Sequence, residues 1–558
     1  MGKIQFPNLR ALPAGPRWLA YGVLLLCAIL VGGVITAYGG MLLVVLMWAV
    51  CMGGLCLLLH FTWQTVFPGQ RAAQDKTFLR SWLAGSAVGV AVIAALVCYR
   101  QTVYSDDAIN YFAKQTLLFG SFGQSGFYGI HVLLESLLTA DYKMFMNLFI
   151  SVPYLFTGRS INAFMVCYAI TCFVPMWFAL LMGAKYLAQQ LPACHTALYY
   201  PLCMAVMVLW PMFLWPATHG MPDAFGLTFA AVIALLCADY RFETLPWPRL
   251  LAIFAATFAL ILTRRWYMFW ILAFYAVYVL AVLVGAVRRK TLGSTLKHML
   301  LFGVPSAVII VGALLPTFKT ILTTDYADIY GAYYGGGFGN NCLGQLRTQG
   351  LIWLVLCAAG LVWLLYCRST RAQAIVAAAA SLGAMVLFTR TQSLGDHQSL
   401  ILAPFYLLML FGLCAKLTQQ KAKPWLRNAA AGVLAVFLVV NFGNALRLPG
   451  KNVQTLALSS ESLDLTRRTD LAQMRAVTDF VLEHCTEDQT VYINMDSNGY
   501  SGTTFAYSDP AHPQLQTMIL WESSVPSTHG FPTGSWTSEY VVVTDRVDEG
   551  GIVGPINA

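Results

Sequence analysis

Charge is scarce in this chain: Lys, Arg, Asp and Glu make up 11% of its 558 residues, against roughly 25% in soluble domains. A string of soluble domains is therefore excluded, because 58% of the residues are hydrophobic and too few polar groups remain to hydrate several surfaces. Disorder is excluded as well, since the chain is 13% aromatic and solvated coils are poor in such residues. No CxxC, HExxH or Cys/His cluster occurs, which argues against a structural zinc site. No basic stretch carries interleaved aromatics, so nucleic acid is not an expected partner, and no internal repeat is evident. What remains is a polytopic α-helical membrane protein.

Of fourteen cysteines, all but Cys342 and Cys485 lie in apolar runs or beside basic span ends, where Cys acts as a small hydrophobe. A bridge between those two is the single external pairing on offer. A hydrocarbon core of about 30 Å needs about 20 apolar helical residues. Candidate spans fall near 18–38, 41–62, 82–99, 161–183, 197–214, 223–238, 250–263, 266–287, 299–317, 350–366, 374–389, 398–415 and 428–446, about 13 transmembrane helices in all. The apolar run after Lys3, Arg10 and Arg17 imitates a signal peptide. A second run follows at once from Met41, so the first reads as a retained anchor.

With the N-terminus cytoplasmic, the loops collecting Arg71, Lys76, Arg80, Lys185, Arg241, Arg249, Arg288, Arg289, Lys290 and their like lie inside, as the positive-inside rule requires. An odd number of spans then puts the C-terminus outside an inner, cell-limiting membrane. Residues 447–558 carry 6 basic and 14 acidic side chains, so a net −8 tail follows a basic body. The expected organisation is a transmembrane body over 1–446, with a first external loop of about 100–160 and a flexible external loop of about 318–349, then an extracytoplasmic α/β domain over 447–558. Helical spacing marks 107–118, 128–140 and 142–156 in the first loop, and the Tyr/Gly-rich second loop reads as a flap. In the tail, a helix near 468–485 and strands near 490–495 and 539–544 are expected. No pair of interrupted helices in matching positions, the mark of a transporter built from inverted repeats, is visible.

The acidic residues of the body fall mostly on the external side, and the chemically suggestive residues lie at outer span ends. Tyr104-Ser105-Asp106-Asp107 follows the third span, and paired carboxylates at an interface suit a general base or a divalent metal site, since like charge and partial desolvation raise a pKa. An Asp here also suits the N-cap of the helix that follows. Arg264 and Arg265 end the seventh span, where two guanidinium groups need an anion or a snorkelling route to water; a lipid phosphate is such an anion. Arg390 and His397, with Asp396, form a second external cluster of the same character. His219 and Asp223 occupy a short external turn, where Pro222 and Asp223 open the next helix and the carboxylate is an accessory or acceptor-binding candidate.

The segment YSDDAINY in the first external loop, with the span count, inward N-terminus, interfacial helices and external C-terminal domain, resembles the GT-C superfamily of polyprenyl-phosphate-dependent glycosyltransferases, such as protein O-mannosyltransferases and bacterial aminoarabinose transferases. The resemblance implies a GT-C-like fold and a membrane enzyme that moves a sugar from a polyprenyl-phosphate donor to a cell-envelope glycan, lipid or protein acceptor, with inversion. Asp106, with Asp107 as neighbour or alternate, would take the acceptor proton. Arg264, Arg265, Arg390 and His397 would hold the donor phosphate, and Asp223 and His219 would serve the acceptor. No cofactor is required; a divalent metal, if used, would sit at Asp106 and Asp107. A lipid-linked glycan polymerase or ligase and a flippase or transporter are the alternatives. A transporter would place its charges near mid-span, whereas these lie at outer ends.

Overall fold

The computed structural model describes residues 39–100, 106–157, 160–323, 336–447, 456–463, 467–494, 500–509, 511–520 and 533–543, together with Gly32. The first expected span, near 18–38, lies outside the described residues but for Gly32. Each later expected span has a helix beneath it. In chain order the body consists of α1 Gly40–Val66, α2 Lys76–Arg100, α3 Asp106–Gln124, α4 Gly126–Thr139, α5 Phe145–Leu155, α6 Ile161–Gln190, α7 Thr196–Val208, α8 Pro211–His219, α9 Asp223–Cys237, α10 Trp247–Thr263, α11 Tyr267–Arg289, α12 Leu292–Ala313, α13 Leu315–Thr323, α14 Gly337–Gln349, α15 Leu351–Tyr366, α16 Arg371–Phe388, α17 Gln398–Leu417 and α18 Pro424–Ala445. Eight of the described helices are long and apolar enough to cross a membrane, or ten if two bent pairs each count once. α9 and α10 are apolar but, at 15 and 17 residues, short.

Burial is uneven in a way that suits a bilayer. The best 18-residue stretches of α6 and α17 are 72% buried, whereas those of α1, α12 and α18 are 17%, 0% and 17% buried. The former are the centre of a bundle and the latter its lipid-facing skin, where exposed leucine and valine cost nothing.

The span expected near 197–214 is broken, α7 and α8 being bent by 51°, and the span expected near 350–366 is preceded by α14 at a bend of 103°. Each break has a local cause. Pro211 opens α8 and cannot continue the ladder of α7. Gly350 separates α14 from α15 at φ +84°, and a Cβ there would stand 2.5 Å from the carbonyl carbon of Leu458; only glycine fits such a turn. The two breaks meet: Trp210 Nε1 donates to Gln349 Oε1 at 2.9 Å, and Trp210 stacks on Trp353 with centroids 4.9 Å apart. α14 occupies part of the range read as a loop. Its buried face is polar, with Asn341, Gln345 and Gln349 bonded to Leu394 N, Ser399 and Trp210.

The chain then returns across the second break. Leu351 N donates to Leu456 O at 2.7 Å and Ile352 N to Ala457 O at 3.2 Å, while Ser460 N donates to Arg347 O at 3.1 Å. Helix ends leave N–H and C=O groups unpaired, and residues 456–460 satisfy those on both sides of the bend. The tail contains α19 Leu471–His484, β1 Val491–Asn494, three short helices and β2 Tyr540–Val543, with β1 and β2 paired in parallel. Met474, Val481, Val491, Ile493, Phe505, Leu515 and Met518 form its core. It touches the body where Arg468 N donates to Arg100 O at 2.9 Å and where Tyr507 meets Phe112 edge-on at 5.7 Å. Cys342 and Cys485 are both free thiols, so the bridge between them does not form.

Candidate active site

Arg264 and Arg265 occupy the corner between α10 and α11. Arg264 leaves α10 with an extended backbone at φ −155°, and Tyr267 N closes the turn onto Arg264 O at 3.2 Å. The corner sends the two guanidinium groups to different surroundings. Arg264 goes inward: its side chain is 8% exposed, and Nε donates to Asp223 Oδ1 at 3.0 Å. Its guanidinium also lies 5.4 Å from the ring centres of both Tyr111 and Tyr142, within cation–π range. Arg265 goes to the rim and pairs with Asp141, whose side chain is half exposed.

Asp223 is the first residue of α9, behind a corner that Gly220 makes at φ +72°. A carboxylate in the first turn is favoured by the N–H groups and dipole there, so the helix-opening reading of Pro222-Asp223 holds together with a pairing role. Asp223 is wholly buried. Its Oδ1 also accepts from Trp266 Nε1 at 3.1 Å, and Tyr267 donates its hydroxyl to the Asp223 carbonyl at 2.6 Å. Its Oδ2 is buried and accepts no hydrogen bond. A buried oxygen left without a donor costs about 1–3 kcal/mol.

A third cation belongs to this region, and sequence reading passed over it. Lys143 is 2% exposed, with Nζ bonded to Leu137 O at 2.8 Å and Thr317 Oγ1 at 3.1 Å. Burial lowers its pKa to about 8, with Arg265 pushing the same way and Asp141 opposing. Arg264, Arg265 and Lys143 thus stand against Asp223 and Asp141, one positive charge in excess. No motif signals Lys143; it is one lysine in DYKMFM and only the fold brings it to Arg265.

Asp106 and Asp107 begin α3. α3 is anchored to α5 by Asn147, which donates to Tyr111 O at 2.9 Å and Gln115 Oε1 at 3.1 Å. Position 107 precedes Tyr111 by four residues, one helical turn on the same face, and Tyr111 is the ring beside Arg264.

His219 and His397, far apart in sequence, share one neighbour. Both rings stack on Trp215, at 4.1 Å and 5.9 Å between centroids, and His219 Nδ1 lies 2.7 Å from Trp215 O. Nothing in the sequence singled out Trp215. Arg390 is exposed, with no hydrogen bond or ion pair among the described residues, and is not brought to Arg264 by any contact. Asp396 is exposed too, yet the protein around it raises its carboxyl pKa, with His397 opposing. Among the described residues no group of three or more His, Cys, Asp or Glu could hold a metal ion.

No family model and no curated protein sequence matches the chain. Among solved structures, the chain is similar to ArnT from Cupriavidus metallidurans bound to undecaprenyl phosphate, at 13% identity and TM-score 0.47, over 78% of this chain and 85% of that one. The apo state of ArnT from Cupriavidus metallidurans matches at 12% identity and TM-score 0.43, over 77% and 84%.

Proposed function

We propose that this protein is an inverting membrane glycosyltransferase that takes a sugar from a polyprenyl-phosphate donor and gives it to a cell-envelope glycan, lipid or protein acceptor on the extracytoplasmic face. The observation that carries the reading is the buried Arg264–Asp223–Trp266 unit with Arg265 and Lys143 beside it; the four-residue spacing of Asp107 and Tyr111 on α3 supports an acidic partner for it. Asp223 and the two tyrosine rings hold the Arg264 guanidinium in place before a ligand arrives, so little reorganisation is needed when phosphate charge develops. Buried Lys143 and rim-placed Arg265 are further cations beside it, and Arg390 and His397 are the remaining phosphate-binding candidates.

In the proposed reaction Asp106, or Asp107 in its stead, takes the proton of the acceptor hydroxyl as its oxygen attacks the anomeric carbon. The bond from that carbon to the phosphate oxygen breaks, and the lipid phosphate leaves with the electron pair, stabilised by Arg264 and its neighbours. A phosphate is a good leaving group at neutral pH, so no acid and no metal is demanded. Asp223 and His219 stand near the phosphate cradle and serve donor or acceptor orientation.

The test is incubation of purified protein with a panel of labelled polyprenyl-phosphate sugars, scoring release of free lipid phosphate. One sugar should give release that rises with acceptor and persists in chelator. Asp106→Asn should lower it by about 10²–10⁴-fold, the usual worth of a positioned base, with expression and thermal unfolding unchanged. Wild-type turnover in both Asp106→Asn and Asp107→Asn would defeat the catalytic assignment, and absence of release across the whole panel would defeat the activity.

A further inference from the structure

A cavity of about 400 Å³ runs between α6, α9, α11, α16 and α17. Its upper limit is Leu227 and Trp270, each one turn inside Asp223 and Trp266. Its lower limit is Arg241, just past the opposite end of α9, and Arg289, the last residue of α11. From Trp270 to Arg289 a helix rises about 28 Å, close to the 30 Å of a hydrocarbon core.

The lining has a consistent chemistry. Gly183, Ala230, Ala234, Ala377 and Ala380 leave room where larger residues would close the bundle, and Leu, Val, Phe and other aromatic side chains supply much of the remaining wall. The charged residues of the lining are Arg241 and Arg289, both at the lower end and both cationic. Arg289 Nε is held by Glu243 Oε1 at 2.6 Å. Arg241 is exposed and makes no hydrogen bond or ion pair among the described residues. Beside them Gln373 Nε2 donates to the Tyr186 hydroxyl at 3.0 Å, and that hydroxyl donates to Asp239 at 2.9 Å. An apolar shaft ending in guanidinium groups matches an amphiphile with an anionic head and a long chain.

We infer that this cavity binds an anionic membrane phospholipid, its phosphate at Arg241 and Arg289 and one acyl chain in the shaft between α9, α11 and α16. Its head sits a membrane's width from Arg264, which separates it from a sugar donor whose phosphate must reach the opposite end. Occupation would also replace lost packing in the bundle centre, so the bound protein should be the more stable form.

The experiment is native mass spectrometry of the full chain in detergent, titrated with palmitoyl-oleoyl phosphatidylglycerol, with the phosphatidylcholine of the same chains, and with inorganic phosphate. Phosphatidylglycerol should bind saturably at one per chain and raise the unfolding temperature, phosphatidylcholine should bind at least about tenfold more weakly, and phosphate alone should do neither. Arg241→Gln combined with Arg289→Gln should remove the preference for phosphatidylglycerol, and Ala234→Phe or Ala377→Leu should lower occupancy of both lipids. The arginine pair gives its answer even if the filled variants fail to assemble. Equal binding of the two lipids, unchanged binding in all variants, or stoichiometric displacement by a polyprenyl phosphate would overturn the inference.

Discussion

Arg264 and Arg265 are adjacent in sequence and opposite in circumstance. The inner pair, Arg264 with Asp223, is out of water and tied to Trp266 and two tyrosine rings; the outer pair, Arg265 with Asp141, is open on its acidic side. The same two residue types therefore do different things. A buried pair is costly to break because each partner leaves the other uncompensated, whereas an exposed pair is worth about 0–1 kcal/mol and fades with salt. The inner pair is held in one geometry by its neighbours, and the outer one is open to solvent.

That contrast is broken most severely at Asp223. Asp223→Ala should cost roughly 3–5 kcal/mol of stability by stranding Arg264, read as a fall in thermal unfolding temperature, and Arg264→Ala should partly relieve the Asp223→Ala background. Additive losses in the double variant would mean the two side chains do not couple. Next is donor binding: Arg264→Ala should weaken affinity for the lipid phosphate by roughly 2–3 kcal/mol, the worth of a charge-assisted contact in a dry site. Arg265→Ala should cost about 1 kcal/mol or less and lose even that in high salt. Equal losses in titration calorimetry at low and high salt would erase the distinction between inner and outer.

A third experiment moves the comparison to the linker. Glu461 is 5% exposed, and burial raises its carboxyl pKa well above the ordinary range, with Asp396 adding to the rise. The folded protein then holds this proton more tightly than the unfolded chain. Stability from this group is present in full below the ordinary carboxylate range and is lost as pH climbs toward the folded pKa, at up to about 1.4 kcal/mol per pH unit for one proton. Glu461→Gln should flatten that decline and raise stability at neutral pH. A slope unchanged by the substitution would assign it to another group. The smallest effect belongs to Asp141→Ala, expected at about 0–1 kcal/mol; a larger loss of unfolding temperature would show that the rim pair is structural after all.

The sequence made some of this legible and hid the rest for definable reasons. Apolar runs and basic loops located the membrane-length helices, because hydropathy reports the solvent directly, whereas α14 lies in a polar range read as a loop. The tail helix and both strands appeared within two or three residues of their expected places. The bends at Pro211 and Gly350 were not anticipated: Pro211 sits inside an apolar run, where hydropathy has no term for direction, and Gly350 follows a polar stretch that read as loop. At the site, Arg264 and Asp223 were singled out separately as charges at span ends, but their pairing is a contact over 41 residues that no local pattern encodes. Lys143 and Trp215 carried no signal, since a lone lysine or tryptophan near an interface is ordinary.

The segment from 456 to 460 gives the chain an unusual relation between its parts. It supplies carbonyls to the first turn of α15 and takes carbonyls from the last turn of α14, so it serves as the missing stretch of helical ladder at the sharpest corner of the bundle. A cut between residues 447 and 456 would then leave a two-piece protein that stays assembled. Truncation at 447 would instead strip a span of its own scaffolding, and a protein shortened there should be degraded rather than merely lose a domain. For engineering, reporter tags belong beyond the end of the tail and never in place of it.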